Sequence, residues 1–94
     1  NFSPNKKIYK IEQNSPNPFN PSTSITYYLP KQSNVHFVVF DVMGRIIMDN
    51  GGIIMEEGYH DVVVNGKDLS SGVYIYQFII DGVRLAPKKM VLLK

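Results

Sequence analysis

With 94 residues, 44% of them hydrophobic and 19% charged, the chain has the composition of one globular domain and is too short for two. Ten basic against eight acidic residues leave a net charge of +2, too small for the positive field on which non-specific nucleic-acid binding depends. No cysteine is present, which excludes a disulfide framework, a thiolate metal site and a cysteine nucleophile, and no apolar run approaches the roughly 20 residues of a membrane-spanning helix.

In chain order, Asn1 to Lys10 (NFSPNKKIYK) is polar, carries Pro4 and lacks both an initiator methionine and the apolar centre of a signal peptide. It reads as a linker that becomes ordered near Ile8 or Ile11, on a piece of a longer chain whose export signal lies upstream. Ser15 to Ser22 (SPNPFNPS) follows, with Pro16, Pro18 and Pro21 excluding helix and most sheet pairing. Phe19 is its one large apolar side chain and is expected to pin the loop to the core. From Ser24 to Leu29 the residues Ile25, Tyr27 and Leu29 alternate with Ser24, Thr26 and Tyr28, the period of a half-buried strand that Pro30 ends.

Val35 to Val42 (VHFVVFDV) is apolar on both faces, which predicts a central strand. Met43-Gly44 turns into Arg45 to Asp49, and Asn50-Gly51-Gly52 punctuates before Ile53 to Met55; both runs read as short marginal strands. Tyr59 to Val64 is closed by the strong turn signal Asn65-Gly66, and a Ser70-Ser71-Gly72 bend leads into Val73 to Ile80. Asp81-Gly82 fits a two-residue type I′ turn, after which Val83 to Leu93 returns with Pro87 at an edge or bulge. About seven short strands with turn signals roughly every ten residues predict an all-β antiparallel sandwich.

Catalytic chemistry finds little support. His36 and His60 each lie within a strand, outside any HExxH or HxH arrangement, and read as packed or hydrogen-bonded imidazoles. No GxSxG surrounds a serine; Ser70 and Ser71 read as turn formers. Glu12, Asp41, Asp49, Glu56, Glu57, Asp61, Asp68 and Asp81 read as solvated charges, most of them beside turns, and Gly66-Lys67 lacks the context of a phosphate loop. The expectation is no enzyme, no metal and no cofactor. Tyr27, Tyr74 and Tyr76 read as core residues with the hydroxyl at the rim, whereas Tyr28 faces away from Tyr27 and is open to an interaction. The end of the chain, Pro87-Lys88-Lys89-Met90-Val91-Leu92-Leu93-Lys94, reads either as a last strand whose edge lysines protect or as an accessible tag.

Several segments together resemble one family, the C-terminal sorting domain of the type IX, or Por, secretion system of Bacteroidota-type bacteria. They are QNSPNPFNPSTSITYYLP (Gln13 to Pro30), VVFDVMGRII (Val38 to Ile47), GYH (Gly58 to His60), LSSGVYIYQF (Leu69 to Phe78) and KKMVLLK (Lys88 to Lys94), in that order. Near Val64, where the family often carries an aromatic residue, this chain has valine. The resemblance spans Ile11 to Lys94. It implies an immunoglobulin-like sandwich over residues 11–94, behind a 1–10 linker from an upstream cargo.

It further implies export of that cargo through the periplasm and outer membrane to the cell surface or medium. The implied partners are the secretion translocon and a sortase-like peptidase that cuts in the linker before Ile11. The matching recognition residues are Gly72, Val73, Tyr74, Lys88, Lys89, Met90, Val91, Leu92, Leu93 and Lys94. A folded sandwich that presents its final strand and terminal lysine to a receptor is the docking mechanism expected, with addition to an exposed sheet edge as one route to it. Two other readings compete: a carbohydrate-binding module of a secreted multidomain enzyme, using exposed tyrosines such as Tyr28, and a structural spacer.

Overall fold

The computed structural model describes residues 8–94, so residues 1–7 of the expected linker lie outside the described residues. The described part contains nine strands: β1 (Lys10–Ile11), β2 (Ser22–Leu29), β3 (Ser33–Asp41), β4 (Ile46–Asp49), β5 (Ile53–Met55), β6 (Gly58–Asn65), β7 (Gly72–Ile80), β8 (Val83–Arg84) and β9 (Lys88–Leu92). They form two antiparallel sheets, one in the order β1-β2-β6, the other with β3 and β7 at its centre. This is the predicted all-β sandwich, consistent with an immunoglobulin-like arrangement.

The nine strands fill seven positions, because two edges are broken in half. β4 and β5 lie one after the other along β3, and β8 and β9 do the same along β7. The first break is Asn50-Gly51-Gly52, and the Asn50 side chain bridges it, its Oδ1 accepting from Phe37 N at 2.9 Å and its Nδ2 donating to Val35 O at 3.1 Å. The second is Leu85-Ala86-Pro87. Proline has no N–H for the ladder, and the register slips by one residue from Ile79↔Arg84 to Tyr76↔Lys88.

Alternation along β2, β3 and β7 builds the core. Ile25, Tyr27 and Leu29 face Val35, Phe37 and Val39 and Tyr74, Tyr76, Phe78 and Ile80, all buried. Phe78 sits at the aromatic centre, its ring 4.8 Å from Tyr27 and 5.0 Å from Phe37 between centroids. Val38, on the opposite face of β3, is also buried, in keeping with a central strand.

The two strongest turn signals have different fates. Asp81 and Gly82 have φ of 51° and 81° and join the directly paired Ile80 and Val83, the type I′ hairpin expected. Asn65-Gly66 does turn the chain, with Asn65 Oδ1 accepting from Lys67 N at 3.0 Å, yet β6 and β7 belong to different sheets and no hairpin forms.

Candidate functional site

Prolines at 16, 18 and 21 deprive the segment between β1 and β2 of backbone donors, so its asparagine and glutamine side chains supply the hydrogen bonds instead. Asn14 is buried; its Nδ2 donates to Pro16 O and Thr23 Oγ1, both at 3.1 Å, and its Oδ1 accepts from Gln13 Nε2 at 2.6 Å. The Tyr76 hydroxyl reaches across from β7, accepting from Asn14 N at 3.0 Å and donating to Glu12 O at 2.9 Å. The proline-rich segment is thereby a strap tied to the opposite sheet.

That strap closes the outer edge of β9. Phe19 N donates to Val91 O at 2.9 Å and Leu93 N donates to Phe19 O at 3.0 Å, while Val91 N donates to Asn17 Oδ1 at 3.0 Å and Lys89 O accepts from Gln13 Nε2 at 2.7 Å. Phe19 is buried beneath it, pinned as expected, and burying a side chain of that size contributes on the order of 1.5–3 kcal/mol. The inner edge of β9 is paired to β7 through Gly72↔Leu92, Val73↔Val91, Tyr74↔Met90, Ile75↔Lys89 and Tyr76↔Lys88. Both edges of the terminal strand are occupied, so the expected docking by addition to its edge meets no free backbone there.

The structure does gather the residues singled out from the sequence. Gly72, Val73 and Tyr74 lie side by side with Leu92, Val91 and Met90, respectively, on the β7/β9 ladder. Met90 and Leu92 are wholly buried, so their side chains fill the core and present nothing to a receptor. Lys88 and Val91 are half-buried; Lys89, Leu93 and Lys94 are exposed. Lys94 is held against the β6–β7 loop, its N donating to Ser71 Oγ at 2.9 Å and its ammonium to Lys67 O.

Ser71 also lines a groove of about 360 Å³ at this end of the sandwich. Its other walls include Val42, Met43 and Arg45 from the β3–β4 turn, Ile47, Leu69 and the predicted Gly72, Val73 and Tyr74. Val42 and Met43 are among the most exposed apolar side chains described, at 68% and 77%. The turn that carries them is tied together by the Asp41 carboxylate. Asp41 Oδ1 accepts from Met43 N at 2.9 Å and Arg45 N at 3.0 Å, and its Oδ2 pairs with Arg45 Nε at 2.7 Å. The Arg45 N–H, followed by the Arg45 guanidinium and the Met43 N–H, holds the Asp41 carboxyl below the usual carboxylate range.

In the sequence Asp41 reads as a solvated charge, Met43 as part of a turn and Leu69 as the start of a recognisable segment, none of them as a recognition residue. The signal was there: FDVMGR and LSSGVY are separate in sequence, and the fold brings them to one groove.

The remaining singled-out residues have local explanations. His36 Nε2 meets Asp49 Oδ1 at 2.5 Å, and His60 Nε2 meets Glu56 O at 2.6 Å with its ring 5.5 Å from Tyr27. Asp49 is held low chiefly by the Gly51 N–H and then by His36. Tyr74 donates to Ser70 O at 2.6 Å, tying β7 to the loop. Tyr28 is half-buried, its ring 4.9 Å from that of Tyr59 and tilted by 53°.

Comparison with curated proteins finds no match. Comparison with family models matches residues 15–92 to the family described as the secretion system C-terminal sorting domain, a stretch that begins in the strap and ends on the strand the strap closes. The chain belongs to the family of secretion system C-terminal sorting domains.

Proposed function

We propose that the type IX translocon reads this domain as a folded body, at the end of the sandwich where the β3–β4 turn, the groove and Leu93-Lys94 lie together. Family membership makes the domain a sorting signal of type IX secretion, which sends an attached cargo to the cell surface or medium; the family is not one of catalysts. The observation that supports the place of recognition is the closure of both edges of β9. A receptor is left with side chains and an end surface to read, and exposed Met43, Val42, Leu93 and Lys94 supply apolar contact and a cation there.

In this reading Gly72, Val73 and Tyr74 shape the groove, while Lys88 to Leu92 hold the terminal pair in place. The 1–10 segment joins the upstream cargo, and a sortase-like peptidase cuts before Ile11 once transport is complete.

The test is a fluorescent protein bearing an export signal and fused to Asn1 to Lys94, expressed in hosts with and without a working type IX system. Surface or medium fluorescence that depends on the system is expected for the parent. Met43→Asp and Leu93→Asp, both at exposed positions, are expected to lower it at least tenfold while leaving the melting temperature within a few degrees. Undiminished export of both variants would overturn the proposed recognition surface; retention in both hosts would overturn the sorting role.

A further inference from the structure

We infer that β6 is a second docking edge, one that takes an extended lysine- or arginine-bearing segment of a partner protein by strand addition. This goes beyond the sorting reading and is independent of the groove and of β9.

The direction of the backbone along β2 identifies the free groups. Thr26 O accepts from Glu12 N, and Ser24 bonds Ser15 through both its N and O, so these residues face β1 and the strap. Alternation then turns Ile25 and Tyr27 toward β6, where they pair with Val62 and His60. It follows that the N–H and C=O groups of Tyr59, Asp61 and Val63 point away from β2. No described residue bonds them there.

Sheet edges elsewhere in the described residues are closed or broken. β9 is covered by the strap, β1 and β8 are two residues each, and the β4/β5 edge is interrupted at Asn50-Gly51-Gly52. β6 runs for eight residues without a lysine, a proline or a bulge, the usual devices against strand addition. Tyr59 and Val63, 63% and 66% exposed, stand on its outer face and offer apolar contact to an added strand.

Charge selects the occupant. β6 itself carries no lysine or arginine and one carboxylate, the exposed Asp61, and the exposed Glu56 and Glu57 come immediately before it, with Lys67 beyond its far end. A second copy pairing β6 with β6 would bring like charges together, whereas a basic strand is drawn to this side.

The test uses the 94-residue domain, isotopically labelled, with an acetylated and amidated lysine–valine alternating octapeptide as probe. Saturating peptide is expected to slow hydrogen exchange at the amides of Tyr59, Asp61 and Val63 at least tenfold, leaving His60 and Val62 unchanged. The double substitution Glu57→Lys with Asp61→Lys, at two exposed positions, is expected to weaken peptide affinity at least tenfold. Three results would overturn the inference: no protection at those amides, equal protection by a glutamate–valine octapeptide, or protection without peptide that grows with protein concentration, which would assign the edge to a second copy.

Discussion

Replacing Tyr76 by phenylalanine removes one oxygen atom and leaves the ring in the core, so the loss isolates the tie between strap and sheet. That oxygen accepts from Asn14 N at 3.0 Å and donates to Glu12 O at 2.9 Å, and Asn14 is only 3% exposed. Losing a satisfied bond costs about 1 kcal/mol, and stranding a buried N–H adds on the order of 1–2 kcal/mol. The expected total of about 2–3 kcal/mol corresponds to a fall of roughly 8–24 °C in melting temperature for a domain of this size. Urea unfolding followed by circular dichroism reads it directly, with the slope unchanged because the folded surface is the same.

Tyr74→Phe is the internal comparison, since its hydroxyl makes the single bond to Ser70 O and its loss is expected to cost nearer 1 kcal/mol. Burial pushes the Tyr76 phenol above the ordinary tyrosine range, against a smaller opposing effect of the Asn14 N–H. A raised folded value means the stabilisation is complete below about pH 10 and is lost as pH rises beyond it, so part of the alkaline unfolding should vanish in Tyr76→Phe. A loss under about 0.5 kcal/mol, or one no larger than for Tyr74→Phe, would refute the strap as a structural tie.

Two further outcomes are expected. Gly66→Ala would place a Cβ 2.9 Å from Leu92 Cδ2, 3.2 Å from Pro21 O and 3.3 Å from Phe19 Cε2, where strap and terminal strand meet, and is expected to cost about 1–3 kcal/mol; an unchanged urea midpoint would contradict so close an approach. Asp41 is lower in pKa folded than unfolded, so its stabilisation is present above about pH 4 and is lost as pH falls through the folded value. The melting-temperature difference between the parent and Asp41→Asn should therefore shrink from pH 7 to pH 2, and a constant difference would show that the carboxylate does not act through its charge.

Local pattern carried most of the fold. The alternation of Ile25, Tyr27 and Leu29 marked β2, the two-sided apolar run from Val35 marked β3 as central, and Asp81-Gly82 foretold a hairpin whose φ values match the turn type. Pro87 marked the break between β8 and β9. The strand count differed because Asn50-Gly51-Gly52 and Leu85-Ala86-Pro87 each divide one edge position into two strands. The recognisable terminal segment read correctly as a strand, but its expected free edge did not survive. The residues that close it, Gln13, Asn17 and Phe19, belong to a loop whose prolines announced irregular backbone and said nothing of its partner.

The sequence by itself determined that this is a small all-β domain, where its strands and turns fall, and which family it resembles. These properties are written in neighbours: side-chain alternation and turn preference act over two to four residues. Only the tertiary structure decided that β9 is sealed on both edges, that the β3–β4 turn and the β6–β7 loop share one groove, and that the outer edge of β6 is paired by no described residue. Those outcomes rest on contacts such as Tyr76 with Asn14, 62 residues apart, and Gln13 with Lys89, 76 apart. No local preference encodes such pairings; they arise when the two sheets close on a common core and bring buried backbone groups of distant segments within reach of one another.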